Sequence, residues 1–124
     1  MTNSTKKILI AEDEKPMAHA LDLKLKHSGF ETKVVFDGQE ALEAIKAEKF
    51  DLILLDLMMP KKDGFAVLTE MKNQQNTTPV IVLSNLSQAE DEERAKKMGA
   101  KDYFIKTDIP LTEIIEQIKK VLKI

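Results

Sequence analysis

The stretch Asp51-Leu52-Ile53-Leu54-Leu55-Asp56 decides how this chain is read. Four apolar residues stand together with no polar residue among them. A strand reads this way when both of its faces are covered, as in a parallel sheet with helices on each side. The run closes on an aspartate. A carboxylate at the end of a dry central strand needs a partner, so Asp56 is the first residue to suspect of chemistry.

Working outward, similar runs recur on both sides: Ile8-Leu9-Ile10-Ala11, Thr32-Lys33-Val34-Val35, Val80-Ile81-Val82-Leu83 and Tyr103-Phe104-Ile105. Amphipathic segments alternate with them. Met17, Leu21 and Leu25 repeat at four-residue spacing, as do Ala41 and Ile45, with Leu42 beside them. Leu68 and Met71 share a face. Leu111, Ile114, Ile115, Ile118, Val121 and Leu122 form one apolar stripe. The stretch from Ala89 to Met98 is mostly charged, with acids first and bases later, which suits the dipole of an exposed helix. Gly29, Gly38, Gly64 and Gly99 fall between or at the edges of these segments, and Pro110 stands where a helix would begin. Five strand-then-helix repeats predict an α/β fold, a parallel sheet with right-handed crossovers and helices on both faces.

The 124 residues suit one domain. With 43% hydrophobic and 32% charged residues and a net charge of −2, the composition is that of a globular protein without a basic footprint for nucleic acid. There is no cysteine, which excludes disulfides, thiol catalysis and cysteine-held metals. No apolar run is long enough to span a membrane or form a signal-peptide core, so a cytoplasmic protein is expected.

In such folds ligands bind beyond the carboxyl ends of the strands. The first strand delivers Glu12-Asp13 and then Glu14, the third Asp56, the fourth Ser84-Asn85, the fifth Lys106. Two carboxylates about 4 Å apart repel by roughly 4 kcal/mol at an effective dielectric near 20, so something positive belongs among them. Mg²⁺ is one candidate and Lys106 another. Taken singly, each residue has a plainer reading: Asp13, Glu14 or Ser84 as a helix cap, Lys106 as a solvated lysine. Their joint occurrence at successive strand ends argues against coincidence.

These residues resemble the receiver domains of two-component response regulators, including the stand-alone chemotaxis receiver. The resemblance runs from about Lys7 to Leu122. It is carried by Ile8-Leu9-Ile10-Ala11-Glu12-Asp13-Glu14, by Asp51 to Pro60, by Asp63-Gly64, by Pro79 to Ser84 and by Gly99 to Lys106. It implies a flavodoxin-like, doubly wound (βα)5 sheet of order 2-1-3-4-5 over residues 7–124, after a flexible tail at 1–6. It also implies that Asp56 is the phosphoacceptor and that Mg²⁺ is held by Asp13, Asp56 and the Met58 backbone carbonyl with Glu12. Lys106 and Ser84 would contact phosphoryl oxygens. Tyr103 would be the switch aromatic, turning from exposed to buried as Ser84 is drawn inward. The face from Gln88 to Lys123, made of the fourth helix, fifth strand and fifth helix, would carry the output.

The implied donor is a phosphohistidine on a sensor histidine kinase or a histidine phosphotransfer protein, and the implied target is a downstream effector protein. His19 and His27 are read as ordinary side chains of the first helix. No direct nucleic-acid or membrane contact is expected, and the chain is expected to be a monomer or weak dimer that catalyses only its own aspartyl phosphorylation and dephosphorylation. Because the chain stops soon after the last helix, output is expected through docking unless the chain is part of a longer one.

Three positions depart from the family pattern. Thr107 follows Lys106 where the family carries proline after a cis bond. A cis bond before a non-proline residue costs about 3–4 kcal/mol, so a trans peptide is expected. Asn85 stands where a smaller residue is common, beside the phosphoryl site, and is expected to alter phosphate lifetime. Met58 replaces the polar side chain that positions water in some relatives, which points to slow self-hydrolysis. Thr107 and Asn85 motivate an alternative, a degenerate receiver that binds partners without phosphate. An aspartate-based phosphatase would need a second acid two residues after Asp56, and Met58 is there instead. A nucleotide-binding enzyme lacks its Gly-rich loop.

Overall fold

A computed structural model describes residues 5–124. Residues 1–4 of the expected tail lie outside the described residues, and the Lys6 carbonyl already accepts a hydrogen bond from the Glu31 N–H (2.9 Å). The elements run in order: β1 (Lys7–Ala11), α1 (Lys15–His27), β2 (Glu31–Val35), α2 (Gly38–Ala47), β3 (Leu52–Leu55), α3 (Gly64–Asn73), β4 (Val80–Ser84), α4 (Ala89–Lys97), β5 (Asp102–Ile105), a 3₁₀ turn (Lys106–Asp108) and α5 (Leu111–Leu122). All strand pairs are parallel and the order is β2-β1-β3-β4-β5, as expected.

The alternation of side chains along each strand divides the core in two. Ile8, Ile10, Leu52, Leu54, Ile81 and Leu83 pack with Leu21 and Leu25 of α1 and Ile114, Ile115 and Ile118 of α5. Leu9, Ile53, Leu55 and Val82 face the other way, toward α2, α3 and α4. The β3 run is apolar throughout because both of its faces are inside. The edge strand β2 reads differently for the same reason: Glu31 and Lys33 are exposed and Val35 is buried.

The charged α4 gives the core a single buried residue, Ala95. Its neighbour Arg94 lies on the Phe65 ring of α3, 3.9 Å from the centroid. Two helices begin on Asp N-caps, where Asp37 accepts from the Glu40 N–H and Asp63 from the Ala66 N–H. Among the described residues no helix is long and apolar enough to cross a membrane.

Candidate functional site

Sheet register decides which strand ends meet. Ala11, the last residue of β1, pairs with Leu55, the last of β3, so Glu12 and Asp56 leave the sheet side by side. Their backbones are still tied to it: the Glu12 N–H donates to the Val35 carbonyl and the Asp56 N–H to the Ala11 carbonyl, both at 3.0 Å. Ile105 pairs with Ser84, so Lys106 emerges from the same edge.

The Lys106 ammonium gathers three acids. It lies 2.7 Å from Glu12 Oε1, 2.8 Å from Glu14 Oε1 and 3.0 Å from Asp56 Oδ2. Its side chain is only 6% exposed, so the solvated reading of this lysine does not hold. Carboxylate oxygens of Glu12, Asp13 and Asp56 all lie within 4.8 Å of one another. Asp56 Oδ1 also accepts from the Met58 N–H (3.2 Å), and Glu12 Oε2 from the Glu14 N–H (3.0 Å).

Burial pushes the Glu12 carboxyl up to about 7. The Lys106 hydrogen bond opposes that rise and the nearby Asp56 charge adds to it. Burial also raises Asp56 above its usual range, against the pull of Lys106. Burial would lower Lys106, but hydrogen bonds to Glu12, Glu14 and Asp56 outweigh it and hold the ammonium well above its ordinary value. Three acids therefore share one ammonium, with Asp13 a fourth acid beside them, and the cluster has room for a further positive charge. Beside it opens a cavity of about 250 Å³ lined by Asp13, Glu14, Asp56, Met58, Asn85 and Lys106.

Ser84 is fully buried and does not line that cavity, whereas Asn85 does. The Ser84 Oγ accepts from the Leu86 N–H (3.2 Å), a local turn rather than a helix cap. Tyr103 is already buried rather than at the exposed start of the expected turn, and its hydroxyl donates to the Leu86 carbonyl (2.7 Å). Met58 is 56% exposed at the rim. No cis peptide occurs among the described residues, so the Lys106–Thr107 bond is trans and the chain turns there through the short 3₁₀ segment. His19 and His27 are exposed on α1, away from the cluster.

Sequence reasoning left several roles unread. Glu14 occupies the N-cap position of α1, yet its side chain makes no cap bond and reaches Lys106 instead. Leu86 ties Ser84 to Tyr103 through its backbone, which no side-chain motif reports. Gly64, in the Asp63-Gly64 stretch, owes its place to packing that the sequence does not report. A Cβ there would stand 2.5 Å from the Asp56 carbonyl oxygen and 2.7 Å from the Leu57 Cα.

The family model described as the response regulator receiver domain matches residues 8–119. The response regulator ArlR of Staphylococcus saprophyticus is 34% identical over 117 residues, covering 94% of this chain and 52% of that protein. The alkaline phosphatase synthesis transcriptional regulatory protein PhoP of Bacillus subtilis is 35% identical over 118 residues, covering 95% and 49%. The chain thus spans about half the length of these regulators. Among solved structures, the receiver domain of the Francisella response regulator 1452 superposes with a TM-score of 0.91 at 36% identity, covering 96% of this chain and 98% of that one. The BeF3-activated N-terminal receiver domain of Klebsiella pneumoniae RstA gives 0.88 at 28% identity, covering 96% and 100%. A match that runs from the first strand into the last helix, on the same strand order, leads to one assignment: this chain belongs to the response regulator receiver domain family.

Proposed function

We propose that Asp56 is the phosphoacceptor of this receiver and that the protein works as a switch in a two-component phosphorelay. The observation that carries this reading is the buried Asp56 carboxylate, 3.0 Å from the Lys106 ammonium, at the wall of a small acidic cavity. An Asp56 oxygen attacks the phosphorus of a phosphohistidine. The new O–P bond forms as the P–N bond breaks, and its electron pair goes to the imidazole nitrogen. Such a transfer needs mainly position and balanced charge. Lys106 meets one phosphoryl oxygen. Ser84, whose Oγ now accepts from Leu86, has its O–H free to donate to another once it swings toward the cavity. Tyr103 follows because its own hydroxyl is tied to the same Leu86, and the α4–β5–α5 face relays the change.

The donor set fits Mg²⁺, since hard carboxylate oxygens converge and carry more negative charge than Lys106 balances. Asp13, Asp56 and the Met58 backbone carbonyl would hold the ion, with Glu12 beside them. Bound there, it supplies positive charge to the transferring phosphoryl oxygens. The partners we propose are a sensor histidine kinase or histidine phosphotransfer protein as donor and an effector protein as target. The setting we propose is the cytoplasm, with the chain a monomer or weak dimer that transforms no substrate beyond its own aspartyl phosphate.

Incubation with Mg²⁺ and acetyl phosphate, followed by intact mass, tests the reading. One added phosphoryl group is expected in the wild type and none in Asp56→Asn or without Mg²⁺. If the wild type gains no mass and also fails to bind beryllium fluoride, the reading is wrong.

A further inference from the structure

Glu14 has no task in the scheme above, yet its carboxylate takes one of the three donors of Lys106 at 2.8 Å. The contact is built rather than incidental. The Glu14 N–H is held by Glu12 Oε2 at 3.0 Å, and its carbonyl accepts from the Ala18 N–H at 2.9 Å, so the backbone is fixed from both sides. Its conformation is extended, as an N-cap requires, and this aims the side chain back across the strand ends instead of into its own helix. Glu14 also lines the cavity that Asp56 opens into, and its side chain is 55% exposed at the mouth.

We propose that Glu14 is a positioning residue that weakens the hold of the site on a phosphoryl group by competing for Lys106. The inference rests on the phosphoacceptor reading of Asp56. Lys106 carries three N–H donors, and Glu12, Glu14 and Asp56 occupy all three. A phosphoryl oxygen inherits at most the donor that Asp56 gives up, while Glu14 keeps its own and holds a negative charge facing the incoming dianion. Removing that charge frees a donor and removes the repulsion. Because Glu14 is half in water, the effect is moderate and falls as salt rises.

The test uses the full chain with Mg²⁺ and beryllium trifluoride as the phosphoryl-like anion, titrated by calorimetry for wild type, Glu14→Gln and Glu14→Ala. Both variants are expected to bind the anion about three- to tenfold more tightly at low ionic strength, an advantage that shrinks in 0.5 M KCl as screening predicts. Mg²⁺ affinity, measured alone, is expected to stay within about twofold of wild type, since Glu14 lies outside the group of acids whose oxygens converge. A melting curve for each variant establishes that it is folded, and two variants of different size guard against a local packing artefact. If wild type binds the anion and both variants bind it equally or more weakly, the inference is overturned while the phosphoacceptor reading stands. A large loss of Mg²⁺ affinity would also overturn it, by making Glu14 a metal ligand. If wild type itself binds no beryllium trifluoride, both fall together.

Discussion

Ser84 and Tyr103 are joined through one peptide segment that belongs to neither: Ser84 Oγ accepts from the Leu86 N–H and Tyr103 Oη donates to the Leu86 carbonyl. Any displacement of the serine hydroxyl toward Asp56 must break or drag the first bond, and the second passes that displacement to the ring. The linkage gives the proposed switch a physical path through two hydrogen bonds on a single residue.

Tyr103→Phe removes the second bond and leaves the ring in place. The half-buried Leu86 carbonyl loses a donor, at a cost of about 1 kcal/mol. A drop in melting temperature of about 4 °C is expected for a domain of this size. Binding of beryllium fluoride should persist, because Tyr103 makes no contact with the acidic cluster. A variant that melts like wild type would show that the Leu86 bond adds nothing.

The buried acids predict how stability depends on pH when Mg²⁺ is removed by chelation. Glu12 has a folded pKa of about 7 against 4.5 for the unconstrained group. A raised carboxyl pKa means that the folded state takes up a proton the unfolded state has already lost. The associated stability is fully present below about 4.5 and disappears as pH rises through about 7, a loss on the order of 3 kcal/mol. Asp56 shifts in the same direction and adds to the trend. Chelated protein should therefore melt lower at pH 8 than at pH 5.5, and Glu12→Gln should flatten that slope. Protons should compete with Mg²⁺ over the same window, so its affinity rises from pH 6 to 8. A flat melting profile in chelator would rule this account out.

Lys106→Ala leaves Glu12 and Asp56 buried without a cation. Breaking a buried pair by removing one partner costs about 3–5 kcal/mol. Urea unfolding should register a loss of that order, with added Mg²⁺ recovering part of it in the variant. Phosphoryl gain from acetyl phosphate should fall sharply even in molecules that remain folded. If the variant is as stable as wild type, the carboxyl groups are not relying on this ammonium.

Gly64→Ala pushes on the backbone that carries Asp56. The added carbon meets the Asp56 carbonyl oxygen and the Leu57 Cα at under 3 Å, both backbone atoms that cannot rotate away. Overpacking of this kind costs about 1–3 kcal/mol. Weaker binding of beryllium fluoride should accompany the lower melting temperature, because the loop after β3 moves. Unchanged binding in a destabilised variant would separate packing from site geometry.

Arg94→Ala tests how α4 is held. With Ala95 its only buried residue, the helix depends on the stacking of Arg94 over Phe65. An exposed contact of this type is worth about 0.5–1 kcal/mol. Amide exchange should quicken in Ala89–Lys97 and stay unchanged in β1, β3 and β4. Uniform exchange across the domain would contradict the local role of this contact.

What the sequence by itself determined is the part of the problem that is local or periodic. Whether a strand is covered on one face or two is written into its own residues, so Leu52–Leu55 and Glu31–Val35 could be told apart, and five alternations sufficed for the architecture. The acids were legible because an aspartate closing an apolar strand is anomalous wherever it occurs. The trans peptide after Lys106 followed from the cost of the alternative at Thr107. Tertiary structure alone decided who meets whom. Lys106 lies 50 positions from Asp56 and 94 from Glu12, and only the strand register brings them within a hydrogen bond. Glu14 and Asp13 are neighbours with equal claims to cap α1, yet the extended backbone at the N-cap sends Glu14 to the lysine. Gly64 matters for an empty space beside Asp56, and Leu86 for two backbone atoms. Neither space nor backbone orientation is a property of a residue type, so neither could be read before the chain was folded.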